Sequence, residues 1–165
     1  MGCRVSYIFL PSNSFLSYFT FSNMSRSFSC VQTLLKYRKF YVDTVDADGN
    51  CFYRAVAKGY YKDVAMHHLL RRTTIEHMME DTAEYEPLFE SKKTLVAKLN
   101  ANKRLGVWNS DLADLVPLAV ANLLQCQIDV YAVDDNEEVK KYSFGEGEKI
   151  RLLLRNNHYD LLVKN

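Results

Sequence analysis

The chain has 165 residues, 48% hydrophobic and 25% charged, the profile of one soluble globular domain long enough to bury a core. Its net charge of +1 removes any global electrostatic case for nucleic acid or a strongly charged partner. Four cysteines, Cys3, Cys30, Cys51 and Cys126, form neither a C-x-x-C metal pair nor a disulfide framework, which points to a reducing, cytoplasmic home and leaves each thiol to its surroundings.

Residues 1–30 read as a leader and residues 31–165 as the domain. No Asp or Glu precedes Asp43, and serines and aromatics crowd positions 6 to 30. Three readings of the leader stand together. It is a disordered extension of a protein that begins at Met24, an acid-poor transit segment carrying Arg4 and Arg26, or an acylated start. In the last case Gly2 and Ser6 of MGCRVS fit myristoylation, and Cys3 offers a palmitoylation site. Membrane contact is expected only there, because Tyr7–Leu10 is too short for a secretory core and no stretch is long enough to span a bilayer.

Val31, Leu34 and Leu35 have helical spacing with Ser29 as an N-cap, so a short helix is expected to run to Tyr41. From Cys51 to Leu124 the pattern is mostly helical. Leu95, Val96 and Leu99 mark one amphipathic segment, and Leu112, Leu115, Val116, Ala119, Val120, Leu123 and Leu124 a stronger one. Asp111 and Asp114 lie near the start of that segment, where the helix dipole favours them, and Pro117 predicts a kink or a later start. The last forty residues change period. Ile128–Val133, Val139–Phe144, Ile150–Arg155 and His158–Val163 read as strands, separated by Asp134-Asp135-Asn136, Gly145-Glu146-Gly147 and Asn156-Asn157. Helices followed by a meander of strands give an α+β layered domain.

The stretch DADGNCFYRA, from Asp46 to Ala55, can be read as a cation loop, a helix start or the cradle of a nucleophile. As an EF-hand it fails on counting: with Gly49 on the loop glycine, Thr44 takes the first ligand position and Ala55 the place of the bidentate glutamate. As a helix start it works, with Asn50 as N-cap and an apolar stripe of Phe52, Ala55, Val56, Gly59 and Tyr60. A thiol in the first turn of that helix feels the positive end of the dipole, which favours thiolate. Gly49 lets the chain take a positive φ, so that successive N–H groups can converge on one point, as an oxyanion hole requires. From local sequence alone, Cys51 is equally a nucleophile or a buried inert thiol.

A thiolate enzyme needs a base. His67, His68 and His77 sit in a helical stretch among Met66, Leu69, Leu70 and Met78, and read as structural or solvated. His158 opens a strand, with Asp160 two residues on, so imidazole and carboxylate share one face while Tyr159 points away. Such a carboxylate can fix the ring tautomer and stabilise the imidazolium. Every histidine follows Cys51, which suits papain-like architectures, although the papain signature and a G-x-S-x-G elbow are absent.

Together, DGNCFYRA and the distant HYD resemble the ovarian-tumour (OTU) family of cysteine proteases, whose members remove ubiquitin from proteins. HHLLRR is similar to the family's H-x-x-L-R segment, and GVWNSDLADLVPLAVANLLQCQIDVY to its Trp-bearing turn, long helix and central strand. The resemblance covers about Val31 to the C terminus. It implies a papain-like α+β fold, helices packed on a mainly antiparallel C-terminal sheet, and a deubiquitinase. Cys51 would be the nucleophile, His158 the general base and acid, and Asp160 the residue orienting His158. Asp48, Gly49 and Asn50 would form the loop whose backbone N–H groups, with that of Cys51, stabilise the oxyanion. Trp108 would pack near the cleft. The chain departs from the family in having Asn109-Ser110 where a glycine pair often follows that Trp. No metal or organic cofactor is implied. The implied partner is ubiquitin, polyubiquitin or a ubiquitin-like modifier, met by a monomer. The alternative of another class is a non-catalytic module that only binds ubiquitin.

Overall fold

The computed structural model describes residues 31–165; Gly2, Cys3, Ser6 and Ser29 lie outside the described residues. In chain order the elements are α1 (Val31–Arg38), β1 (Phe40–Asp43), α2 (Cys51–Tyr60), α3 (His67–Glu80), α4 (Thr82–Tyr85), α5 (Lys92–Asn102), α6 (Val116–Leu124), β2 (Cys126–Val133), β3 (Val139–Phe144), β4 (Glu148–Arg155) and β5 (His158–Lys164). The expected α+β layering is present: helices packed on one sheet of five strands in the order β1-β5-β4-β2-β3, of which four follow the last helix and β1 precedes α2. Three of its four pairings are antiparallel, and β2 with β4 is parallel.

Two expectations need correction. The first helix stops at Arg38, because Lys39 turns to φ +54°, and the next residues form an edge strand. Phe40–Asp43 pairs with Lys164–Leu161, a partner far along the chain that no local pattern contains. The strands are also not a simple meander. β2 and β3 form a hairpin, and the chain then crosses below the start of β2 to run parallel to it as β4. Gly145 makes that crossing possible: a Cβ there would sit 2.5 Å from the Cys126 carbonyl oxygen and 2.8 Å from the Ala121 Cβ. Pro117 lies in the first turn of α6, where its missing N–H costs nothing, so the later start is the correct alternative.

Both sheet faces are covered, and alternation along the strands divides the core in two. Ile128, Val130, Ala132, Leu152, Leu154, Tyr159 and Leu161 pack against α2, α3, α5 and α6. Tyr131, Leu153 and Leu162 point the other way, to Val31, Leu34 and Phe40. This accounts for strands that read as nearly continuous apolar runs. The helix on the larger core that matters most is α2, which lies against β5 and presents its N-terminus beside that strand's start.

Candidate active site

Cys51 is the first residue of α2, a buried thiol not engaged in a disulfide. The loop before it is held by a dense set of polar contacts. Asp48 accepts the Asn50 N–H on Oδ1 at 3.0 Å and the Asn50 side-chain amide on Oδ2 at 2.9 Å. Arg54, one turn into α2, grips the same carboxylate, with Nη2 to Oδ2 at 2.6 Å and Nε at 3.2 Å from both oxygens. The hydrogen bond from Arg54, helped by those from Asn50, holds the Asp48 carboxyl well below the usual carboxylate range despite partial desolvation. Asp48 is therefore a permanent anion at neutral pH, and its side chain braces the loop.

Asn50 stands at the N-cap position, but its side chain does not cap the helix. Its Oδ1 instead accepts the N–H of Gly106 at 2.9 Å, joining the loop to the segment before Trp108. Gly49, with φ +76°, lies against that segment. A Cβ on Gly49 would come 2.2 Å from the Gly106 carbonyl oxygen, so the two loops touch backbone to backbone. Arg71 completes the junction from α3, donating to the Gly49 carbonyl at 2.6 Å and to the carbonyls of Asn102, Arg104 and Val107.

At the start of β5, His158 Nε2 lies 3.1 Å from Asp160 Oδ1, as the two-residue strand period predicts. The β1–β5 ladder ends at Asp43 and Leu161; beyond it the Val45 N–H turns to the Asp160 carboxylate and donates to the same Oδ1 at 3.0 Å. Asp160 is thus fixed by the strand and by the chain entering the Asp48 loop. Tyr159 points into the core, its ring centroid 5.2 Å from Phe52 and 5.9 Å from Trp108. Phe52 and Trp108 are 5.7 Å apart. This aromatic cluster locks β5, α2 and the Trp108 segment together through the neighbours of Cys51 and of His158. Trp108 has the packing place expected of it.

The other histidines divide as sequence suggests. His67 is buried, with Nδ1 on the Val64 carbonyl at 2.8 Å and its ring 4.3 Å from His68; burial lowers its pKa. Cys126 is also buried, and desolvation pushes its thiol up to about 11, an inert state at neutral pH. Sequence reading passed over Arg54, Arg71 and Gly106 as parts of the site. Both arginines lie inside stretches that stand out, DGNCFYRA and HHLLRR, but no local rule says which loop each one holds.

A family model described as OTU-like cysteine protease matches residues 46–155, two thirds of the chain. OTU domain-containing protein 1 of Homo sapiens is 38% identical over 56 residues, 34% of this chain and 12% of that protein, so the chain corresponds to a small part of it. Among solved structures, the OTU domain of OTUD1 aligns with a TM-score of 0.66 and 27% identity, covering 79% of this chain and 89% of that one. The viral OTU domain protease from Dera Ghazi Khan virus also aligns with a TM-score of 0.66, at 17% identity over 84% and 85% of the two chains. The Hazara virus OTU bound to ubiquitin aligns with a TM-score of 0.57, at 22% identity over 75% and 80%. The last two likenesses concern the fold alone. With the family match spanning the Asp48 loop, α2 and strands β2 to β4 of the sheet, the chain belongs to the OTU-like cysteine protease family.

Proposed function

We propose that the chain is a deubiquitinase, hydrolysing the peptide or isopeptide bond after the C-terminal glycine of ubiquitin with Cys51, His158 and Asp160. The observation that carries this reading is the ordered chain from Val45 N–H to Asp160 Oδ1 to His158 Nε2, set beside the helix start that bears Cys51. Membership of the OTU-like cysteine protease family supports the thiol chemistry, and the Hazara virus OTU, a protein of the same fold, was solved bound to ubiquitin, the substrate proposed here.

With Asp160 accepting the Nε2–H, the neutral ring keeps Nδ1 as its acceptor, the nitrogen that takes the thiol proton. The Cys51 thiolate attacks the glycine carbonyl carbon; a C–S bond forms and the C=O π pair moves to oxygen. Backbone N–H groups of the Asp48 loop and of Cys51 stabilise that oxyanion. The Asn50 N–H is committed to Asp48, and this proposal assigns the oxyanion to the amides of Gly49 and Cys51. Collapse breaks the C–N bond as the imidazolium gives its proton to the leaving amine. Water, deprotonated by the same ring, then hydrolyses the thioester, and Cys51 leaves as thiolate. Asp48 acts through the loop it braces, and Trp108 through packing. No step calls for a metal or an organic cofactor, and the thiol chemistry needs a reducing compartment.

The test is covalent capture. Ubiquitin carrying a C-terminal thiol-reactive group should label wild-type protein and not Cys51→Ala, and His158→Ala should lower hydrolysis of a fluorogenic ubiquitin substrate by about 100-fold or more. An unlabelled wild type, or a labelled Cys51→Ala, ends the proposal.

A further inference from the structure

Among the described residues Arg71 is the largest wholly buried side chain, and the chemistry above gives it no part. Its Nη2 donates to the Gly49 carbonyl at 2.6 Å. Its Nη1 meets the carbonyls of Asn102 at 2.8 Å, Arg104 at 3.1 Å and Val107 at 2.5 Å. The guanidinium carbon sits 4.5 Å over the Tyr53 ring. One cation thus gathers four carbonyls from two loops, one leading into Cys51 and one leading into Trp108.

Core stability alone does not call for this. Burying a cation costs several kcal/mol, and an apolar side chain of similar volume commonly does as well or better. What the fork supplies is direction. In a planar trans peptide the carbonyl and the following N–H point opposite ways, so gripping the Gly49 oxygen sets the whole Gly49–Asn50 plane. Gly49, at φ +76°, is the residue of the loop with most alternative backbone states to suppress. A rotation of that plane would release the Asn50 N–H from Asp48 and turn the Gly49 carbonyl oxygen toward the Asp48 carboxylate, where the two would repel and displace the neighbouring amides of Gly49 and Cys51.

We propose that Arg71 is a positioning residue for the oxyanion loop: it holds the Gly49–Asn50 peptide and the 102–107 segment in one fixed arrangement, so that the loop amides face the tetrahedral intermediate. This rests on Cys51 being the nucleophile. Lysine cannot replace it, because a single ammonium offers no planar fork to span both loops and no flat face for Tyr53.

The role separates from a purely structural one by chemistry. Alkylation of Cys51 by iodoacetamide uses the thiolate but forms no oxyanion, whereas hydrolysis of ubiquitin with a C-terminal fluorogenic amide needs the oxyanion loop. Arg71→Lys, Arg71→Met and Tyr53→Leu are compared in the full chain, with the Cys51-bearing peptide followed by mass. Wild-type hydrolysis is measured first; if it is nil while Cys51 alkylates, the functional reading fails, and Arg71 is not the cause. With an active wild type, the folded Arg71 variants should lose about 100-fold in kcat, keep KM within about threefold, and keep Cys51 alkylation within about threefold. Tyr53→Leu, which leaves the guanidinium in place, should show the same selective loss in smaller measure. Hydrolysis and alkylation falling in parallel, kcat surviving in Arg71→Lys, or loss of fold in all three variants would each overturn the proposal.

Discussion

Gly49→Ala is the sharpest probe of the junction beside Cys51. The new Cβ would lie 2.2 Å from the Gly106 carbonyl oxygen and 2.7 Å from its carbon, and the backbone on the far side has no flexible end to give way. Ordinary contact requires the two loops to part by ~1 Å. That movement stretches the 2.9 Å bond from Gly106 N–H to Asn50 Oδ1 and the 2.6 Å bond from Arg71 to the Gly49 carbonyl. Alanine at φ +76° costs about 1 kcal/mol in backbone strain. Weakening one neutral and one charge-assisted hydrogen bond adds about 2 kcal/mol. The sum, about 3 kcal/mol, should lower Tm by roughly 10 °C. Displacing the loop amides by a fraction of that ångström should lower kcat by about 100-fold. Gly106→Ala is the control. It has nearly the same φ, +74°, but its Cβ meets only the Asp48 carbonyl oxygen, at 3.3 Å. It should cost about 1 kcal/mol and a few degrees. Thermal melts and hydrolysis of a fluorogenic ubiquitin substrate decide the matter. Equal losses in the two variants would refute the reasoning, because the strain they share would then explain everything.

Three further outcomes follow from the same contacts. Asp160→Ala removes the acceptor of both His158 Nε2 and the Val45 N–H, and should lower kcat about 100-fold with little change in KM; near-wild-type kcat would mean the ring is oriented by something else. Asp48 has a folded-state pKa depressed chiefly by Arg54, so its stabilisation is fully present above the ordinary carboxylate range and is lost as pH falls through the lower folded value. Urea melts should therefore show Asp48→Asn less stable than wild type at pH 7, by about 1 kcal/mol or less after solvent screening, with the gap narrowing below about pH 4; a gap that widens in acid would reverse the assignment. Cys126, pushed up to about 11 by burial, should resist iodoacetamide at pH 7.5 in the native protein and react in denaturant; native modification at a rate like that of Cys51 would contradict its placement.

The parts legible in the sequence are those written in short range. The alternation of His158, Tyr159 and Asp160 is a two-residue period, and the ring and carboxylate meet at 3.1 Å as that period requires. Gly49 before a helix start announces a positive φ, and it has one. Pro117 marks a helix beginning for a stereochemical reason that holds in any fold. Failures begin where the partner is remote. Phe40–Asp43 continues an apolar helical spacing and becomes a strand only because β5 offers it a ladder more than a hundred residues later. The parallel pairing of β2 and β4 depends on a crossing of three residues, Gly145-Glu146-Gly147, which reads locally as a plain hairpin turn. Asn50 has the right side chain for a cap, yet its Oδ1 accepts the Gly106 N–H from the adjoining loop.

The hidden elements of the site share one chemical trait: they are held through backbone atoms. Arg71 grips the carbonyls of Gly49, Asn102, Arg104 and Val107, and a carbonyl is the same group in every residue. The identity of those residues carries no information about the contact, so no pattern at positions 102–107 can reveal it. The information resides in Arg71 alone, a cation on the buried face of its helix, flanked by Leu70, Thr74 and Ile75, all fully buried. A charged residue on the buried face of a helix must find several acceptors, and with His67, His68, Thr74 and Ile75 at the neighbouring helical positions, none a carboxylate, the backbone is the remaining supply. The same logic applies to Asp160, whose second ligand is the amide of Val45. In this fold the side chains proposed for the chemistry are visible in the sequence by their type and spacing, whereas their alignment is set by main-chain groups whose positions only the folded chain defines.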